Sequence, residues 1–370
     1  MAQTKTNSLE LRHKVGQLLI MGFDGTIAAA RLRSTFATLQ PGGIILFKRN
    51  ITASRQTWEL LRESQKCVST PAFLCVDLEG GTVDRLKDVI APAPSVADIA
   101  ASGNRKLFRL HGRVLGDECR LLGFNVDFAP VVDLGLEPSR KVLTSRTASD
   151  DPKKVVAYAR EFLRGLKDAH VLGCGKHFPG LGAANLDTHK NLPAIATPAA
   201  RLMKEDLYPY RELHRQMPFV MVAHAAYPAV TKDNTPASLS RKWITDILRK
   251  RIGYCGLILC DDLEMGGVLS AAPIEVAAVE TLKAGADIFM VCHDEEKVWR
   301  AYQAVLTEAE RDRRFARLVA DKARRVLAFK RRARELKRHV PAPTDLAVDR
   351  LRRRLWELCE EARLVAAAGA

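Results

Sequence analysis

Val171-Leu172-Gly173-Cys174-Gly175-Lys176-His177-Phe178-Pro179-Gly180-Leu181-Gly182 runs from an apolar segment into two cationic residues and then a Pro/Gly loop. The segment Val171 to Gly175 reads as a short strand, because nothing polar interrupts it and Pro179, Gly180 and Gly182 break any regular structure that follows. The loop continues to Asp187-Thr188-His189, where a carboxylate two residues from an imidazole can accept its N–H and set its tautomer and basicity. Loops at strand ends are where α/β proteins keep working groups. An isolated Asp-x-His, however, is ordinarily a solvated loop.

Outward from this stretch the same pattern recurs. Short apolar runs bounded by turn residues occur at 17–23, 43–47, 72–76, 125–132, 171–175, 219–223, 256–260 and 286–291. Between most of them lie segments of helical periodicity, at 55–67, 107–122, 153–169, 201–215 and 241–252, long enough to cross over between parallel strands. Apolar strands alternating with helices predict an α/β fold with a parallel sheet buried on both faces. Eight such units close most simply into a (β/α)8 barrel of the TIM type; a doubly wound sheet is the alternative.

Polar residues sit where these runs end: Asp77 after the third, Asp133 after the fourth, Lys176 and His177 after the fifth, His224 after the sixth, Asp261 and Asp262 after the seventh, His293 and Asp294 after the eighth. In a parallel barrel these positions converge on the C-terminal rim of the strands. Each alone is an ordinary polar strand end, whereas together they describe an active site.

Composition narrows the class. The 370 residues are 47% hydrophobic and 27% charged, the profile of a globular protein with a sizeable core. Met1 to Ser8 contain no apolar stretch of the signal-peptide kind, and no run of about 18 apolar residues occurs, so no membrane span and a cytoplasmic location are expected. The eight cysteines are scattered without a CxxC pair, which argues against a zinc site. The net charge of +15 raises the question of nucleic acid, but thirteen Lys or Arg against three acids fall between Arg311 and Arg338. Phe315, Leu318, Val319, Val326, Leu327 and Phe329 interleave them at helical spacing, so a solvated basic face is expected. An anionic partner or membrane surface is the alternative, and no aromatic-rich motif points to specific nucleic-acid readout.

Beyond the pattern lies a resemblance. Lys176 to His189, continuing through Lys190-Asn191-Leu192-Pro193, is similar to the signature of bacterial family 3 glycoside hydrolases of the β-N-acetylglucosaminidase type. Gly42 to Asn50, Asp77 to Arg85, Asn125 to Asp133, Ser145-Arg146, Ala223-His224, Pro236 to Ser240, Cys260 to Met265 and Ala284 to Asp287 resemble further segments of that family in order, over roughly residues 12 to 330. The resemblance implies that Asp261 is the nucleophile of a retaining glycosidase and that His189, held by Asp187, is its acid/base. An imidazole with an ordinary pKa of about 6.5 suits a group that donates a proton and then takes one back. It implies further that Asp77, Arg85, Arg146, Lys176 and His177 grip the terminal sugar, without metal or cofactor. Asp262 is expected to support the turn. His224 either lines the pocket or satisfies a core hydrogen bond.

The chain departs from the family pattern at Leu78, Thr82, Leu181, Cys260 and Glu264. None removes a proposed catalytic group; Leu78 and Thr82 are placed to retune the substrate mouth, and Leu181 the loop that carries His189. Residues 1–340 read as the barrel domain and 341–370 as a C-terminal helical tail, with Pro341-Ala342-Pro343 as linker and 349–367 as an added helix. That helix either packs on the barrel or makes an oligomer contact. The implied activity is release of terminal GlcNAc from carbohydrate, with GlcNAc-anhydro-N-acetylmuramic acid fragments of cell-wall recycling as substrate. Another β-glycosidase, a glycoside phosphorylase and a non-catalytic sugar-binding barrel are the alternatives.

Overall fold

The computed structural model describes residues 2–368, with side chains from 9 to 365. Eight parallel strands close into a barrel: β1 (Leu19–Met21), β2 (Gly43–Ile45), β3 (Phe73–Val76), β4 (Val126–Asp127), β5 (Leu172–Phe178), β6 (Phe219–Val222), β7 (Leu257–Asp262) and β8 (Ile288–Val291). Each pairs with its chain neighbours, and β1 closes on β8 with Leu19 opposite Phe289. Strands β1 to β6 are buried throughout, as continuous apolar runs require when helices cover the outer face. The expected (β/α)8 barrel is the fold observed.

Two strands differ from expectation for local reasons. The fourth run pairs regularly only over two residues, because Pro130 has no N–H to donate; single bonds, Phe128 N to Val76 O at 2.9 Å and Cys174 N to Ala129 O at 2.7 Å, carry the chain onward. The fifth strand runs further, through Lys176, His177 and Phe178, with Val132 N bonded to Lys176 O at 2.8 Å and Phe178 opposite Val222. Lys176 and His177 are therefore buried strand residues and not loop residues.

The helices α1 (Ala2–Gly16), α2 (Ala30–Leu39), α3 (Ser54–Lys66), α4 (Arg105–Leu122), α5 (Pro152–Asp168), α6 (Ile274–Ala284), α7 (Glu295–Arg311) and α8 (Arg313–Arg332) surround the barrel. The segment expected as one helix at 201–215 is two, Ala199–Lys204 and Tyr208–Leu213, since Pro209 fits only in the first turn of the second. Residues Lys242–Arg251 form a wide π-helical segment. The basic stretch is likewise divided, at Asp312, whose side chain caps α8 by accepting from Arg314 N at 2.8 Å.

α8 is more than a solvated basic face. Its Phe329 meets Phe73 and Phe219, the first residues of β3 and β6, with ring centroids 6.0 and 5.4 Å away, and so plugs the N-terminal end of the barrel. The neighbouring Lys330 is buried too, with Nζ 2.8 Å from Gln17 Oε1, and burial lowers its pKa to about 7.

The final helix, α9 (Asp345–Ala368), packs Leu351, Leu355 and Leu358 inward. Arg354 Nη1 pairs with Asp117 of α4 at 2.6 Å, and Arg352 Nε donates to Ile90 O at 2.8 Å. The chain leading to it is fastened by Trp58 Nε1, which donates to Val340 O at 3.1 Å.

Candidate active site

At the C-terminal rim of the strands lies a cavity of about 450 Å³, and the eight residues given a catalytic or sugar-gripping role from the sequence all line it: Asp77, Arg85, Arg146, Lys176, His177, Asp187, His189 and Asp261. Of the other strand-end residues, Asp262 and His293 line it and Asp133, His224 and Asp294 do not. Its walls come from distant parts of the chain. What fixes each group is the loop that follows its strand.

After β3 the chain forms a hairpin in which Leu78–Gly80 pairs with Val83–Asp84. Gly80 and Gly81 turn it with φ of +85° and +60°, values that side chains resist. A Cβ on Gly80 would meet Pro94 O at 2.2 Å. The hairpin carries Glu79 into the barrel mouth, where it is buried between two cations: Lys176 Nζ at 2.6 Å, and Arg146, whose Nε and Nη2 donate at 2.8 and 2.9 Å. Lys176 Nζ also reaches Asp77 Oδ1 at 2.7 Å. Burial alone would raise the Glu79 carboxyl, but the Arg146 and Lys176 charges and their hydrogen bonds hold it far below the carboxylate range. Burial alone would likewise lower Lys176, and Asp77 and Glu79 reverse that, so its ammonium is locked in the charged form. Glu79 was within a quoted motif but was not singled out; a carboxylate's role as the hub between two cations depends on contacts 67 and 97 residues away in sequence.

Asp133 does the equivalent work for β5. Its Oδ2 accepts from His177 Nδ1 at 2.6 Å and its Oδ1 from Leu181 N at 2.8 Å. One buried carboxylate thus sets the imidazole and the first turn of the Pro/Gly loop together. Arg85 is less committed: its Nε is buried without a hydrogen-bond partner among the described residues, with the guanidinium 5.8 Å from the Phe47 ring. It is a donor available to a ligand.

Asp261 is half-buried at the end of β7. Burial pushes its carboxyl up, while His177, His224 and the Asp262 backbone N–H, which donates to Asp261 Oδ1 at 2.9 Å, pull it down and prevail. Asp262 goes the other way, raised to about 8 by burial and by Glu264. Adjacent carboxyls that both line the cavity are thereby driven apart, Asp261 toward its ionised form and Asp262 toward its protonated form, and Asp262 Oδ1 accepts from Glu264 N and Cys292 N at 3.1 and 3.2 Å, as expected of a turn support.

His224 belongs to the core. It is fully buried outside the cavity lining, between Ser238 Oγ at 2.7 Å and the Asp262 carbonyl, which accepts from Nε2 at 2.9 Å. His189 is the opposite case, with a side chain 70% exposed. Asp187 Oδ1 accepts from both His189 N and Nδ1, at 2.9 and 2.8 Å, which leaves Nε2 open. Burial opposes ionisation of Asp187, but the two His189 donors outweigh it and hold the carboxyl below its ordinary range.

Of the departures from the family pattern, Thr82 and Leu181 do line the cavity, whereas Leu78 is buried away from it and cannot touch a ligand there. Glu264 bonds Asp294 N at 3.1 Å and lies near Lys297, so it fastens the β8 loop. Two further cavity residues were given no role from the sequence, His293 at the end of the eighth run and Lys141. His293 stacks on Phe47 with centroids 4.9 Å apart, and Lys141 lies on the wall without an ion pair among the described residues.

Among the described residues no group of three or more His, Cys, Asp and Glu is arranged to hold a metal ion. The cavity joins a carboxylate held in its ionised form, an open imidazole and a cluster of cations and carboxylates, groups that can donate to and accept from hydroxyls.

Residues 10–329 match the glycosyl hydrolase family 3 N terminal domain. The chain belongs to glycosyl hydrolase family 3. Within that family it is 39% identical over 260 residues to the beta-hexosaminidase of Bordetella parapertussis, covering 68% of this chain and 73% of the relative. The beta-hexosaminidase of Idiomarina loihiensis is 32% identical over 307 residues, covering 81% and 92%. Among solved structures, a family 3 beta-N-acetylglucosaminidase from Paenibacillus sp. superposes with a TM-score of 0.85 at 32% identity, covering 94% of this chain and 68% of that one. No helix among the described residues of this family 3 chain is long and apolar enough to cross a membrane.

Proposed function

We propose that this glycoside hydrolase is a β-hexosaminidase that removes terminal GlcNAc from the non-reducing end of its substrate by a two-step retaining mechanism. The observation that carries the reading is the meeting in one cavity of Asp261, whose carboxyl is held below its usual range, with the open Nε2 of His189. Asp261 attacks the anomeric carbon as the glycosidic C–O bond breaks, and His189 Nε2–H gives its proton to the leaving oxygen. Water then attacks the glycosyl-enzyme, passes its proton to His189, and Asp261 departs with the C–O bond electrons. Asp187 orients the imidazole and stabilises its cationic form.

Asp77, Arg85, Arg146, Lys176 and His177 hold the sugar hydroxyls. Carboxylates accept from hydroxyls and cations donate to them, and in a desolvated pocket a sugar lacking those groups leaves them unpaired. The GlcNAc preference is supported by the relatives' names. An anionic aglycone suits a protein of charge +15 with Lys141 on its cavity wall. The reading extends to muropeptide fragments, GlcNAc linked to anhydro-N-acetylmuramic acid, turned over in the cytoplasm during cell-wall recycling.

The test is release of 4-nitrophenol from its β-GlcNAc and β-glucose glycosides by the wild type and by Asp261→Ala, with and without phosphate. GlcNAc-specific release lost in the variant is expected, with an unchanged product distribution when phosphate is added. Activity on glucose alone, a glycosyl phosphate product, or sugar binding without turnover by the wild type would each overturn it in favour of a different glycosidase, a phosphorylase or a binding barrel.

A further inference from the structure

Seven large hydrophobic side chains are exposed among the described residues, and three of them, Leu346, Trp356 and Leu364, lie on α9 at 61, 64 and 69% exposure. The helix already buries its other face, through Val348, Leu351, Leu355, Leu358 and Ala362. Leu346 and Leu364 are 18 residues apart, which at 3.6 residues per turn places them on one line along the helix. Between them Arg350, Arg353, Glu357 and Glu360 continue that line at spacings of four, three, four, three and four, the spacing of a coiled-coil seam. The intrachain ion pairs on α9 are made by Asp349 with Arg352, Asp117 with Arg354 and Glu360 with Arg363. Arg350, Arg353 and Glu357 make none among the described residues.

The stripe has a symmetry. Read from either end about the level of residue 355, leucine meets leucine and arginine meets glutamate. We propose that α9 is a self-association surface on which a second copy of this chain docks with its own α9 antiparallel. Leu346 then packs on the partner's Leu364, Arg350 faces the partner's Glu360, and Arg353 faces the partner's Glu357, each contact occurring twice about the two-fold axis. Trp356 of each copy flanks the axis and supplies the rigid apolar anchor that interfaces favour. Parallel pairing is ruled out by the same stripe, since it would set arginine against arginine and glutamate against glutamate. An unrelated partner gives no reason for the sequence to be its own complement. A single helix pair buries little area, so the dimer is weak and concentration-dependent. Its inner face meanwhile stays on the barrel, so packing on the barrel and an oligomer contact coexist on opposite sides of α9.

The test is sedimentation velocity of the full chain over a concentration series, for wild type, R353E, E357R and an equimolar mixture of the two variants. Both positions are exposed and outside the active site, so glycosidase activity of each variant reports that it is folded. The wild type is expected to pass from monomer to dimer, and each variant alone to lose dimer affinity by at least about tenfold, because every Arg–Glu contact at that layer becomes a like-charge pair. The mixture restores the dimer, since a chain with two glutamates meets one with two arginines. A wild type that stays monomeric at all concentrations, variants that dimerise as well as wild type, or variants that the mixture does not rescue would each overturn the proposal. The first of these is the result expected if a different protein covers the stripe.

Discussion

Gly266 donates its backbone N–H to the carbonyl of His189 at 2.8 Å, and Gly267 does the same to Thr188 at 3.0 Å. The turn that follows Asp261 therefore holds the loop that carries the imidazole, so the two proposed reacting groups are registered through main chain even though His189 itself is exposed. There is no room for a side chain at this junction: a Cβ on Gly266 would meet Lys190 O at 2.4 Å.

Replacing Gly266 with alanine is accordingly expected to displace the His189 loop while leaving the barrel intact. The proton-donation step should suffer most, so kcat/KM should fall by about 10- to 100-fold for a glycoside with a poor leaving group and far less for the nitrophenyl glycoside, whose departure needs little protonation. Equal losses on both substrates would show that the loop position matters for binding and not for acid catalysis.

Glu79 offers a second prediction, on stability. Its carboxylate is the shared partner of the buried Lys176 and the largely buried Arg146. Glu79→Gln leaves Arg146 without its compensating charge and Lys176 with Asp77 alone, and should cost about 3–5 kcal/mol in unfolding free energy, as loss of one member of a buried ion cluster does. Because the folded-state pKa of Glu79 is depressed, its contribution is present above the unfolded value near 4 and is lost as pH falls below that. Chemical denaturation at pH 7 and at pH 3 should therefore show the gap between variant and wild type narrowing in acid. A gap unchanged between the two would mean that Glu79 acts by shape and not by charge.

How far the sequence carried these conclusions follows from which forces are local. Strand positions are legible because continuous apolar residues end at turn formers, and a parallel barrel puts every strand end on one rim; Asp77, Lys176 and Asp261 are found that way. Pro130 shortening the β4 ladder is legible in principle from its missing N–H. The hub role of Glu79, the raised pKa of Asp262 and the core placement of His224 are not, because each depends on burial or on partners distant in sequence. The same holds for Leu78, whose position in the motif says nothing of the direction its side chain takes in the hairpin.

Asp206 shows what burial beside a second carboxylate does to a carboxyl. It is buried beneath the Pro/Gly loop, with a Cβ on Gly180 falling 2.8 Å from its own Cβ, and neither carboxyl oxygen has a hydrogen-bond partner among the described residues. Burial and the nearby Asp133 raise it to about 7. A raised folded-state pKa means that the folded form binds the proton more tightly, so stability is lost as pH rises from the unfolded value near 4 and levels off above about 7. Asp206→Asn removes that dependence. The variant's stability relative to wild type should climb with pH across this window, by at most about 1.4 kcal/mol per unit, and then stay flat. A difference that does not vary between pH 4 and 7 would place the Asp206 proton elsewhere.

Lys141 tests the reach of the cavity toward the aglycone. It stands on the cavity wall in the short helix Arg140–Leu143, next to Arg140, which is engaged by Glu137 at 2.9 Å, whereas Lys141 itself has no acid partner among the described residues. On the proposed reading, a free ammonium at that place attracts a carboxylate on the leaving group and not the neutral terminal sugar. Lys141→Glu should therefore leave kcat/KM for a neutral aryl glycoside within about twofold and lower it about tenfold for a substrate with an anionic aglycone, a change of about 1.4 kcal/mol. The wild-type preference for the anionic substrate should also shrink as salt is raised, because the charge sits where solvent can screen it. Equal effects of the substitution on both substrates would place Lys141 in the structure of the wall and not in recognition of the aglycone.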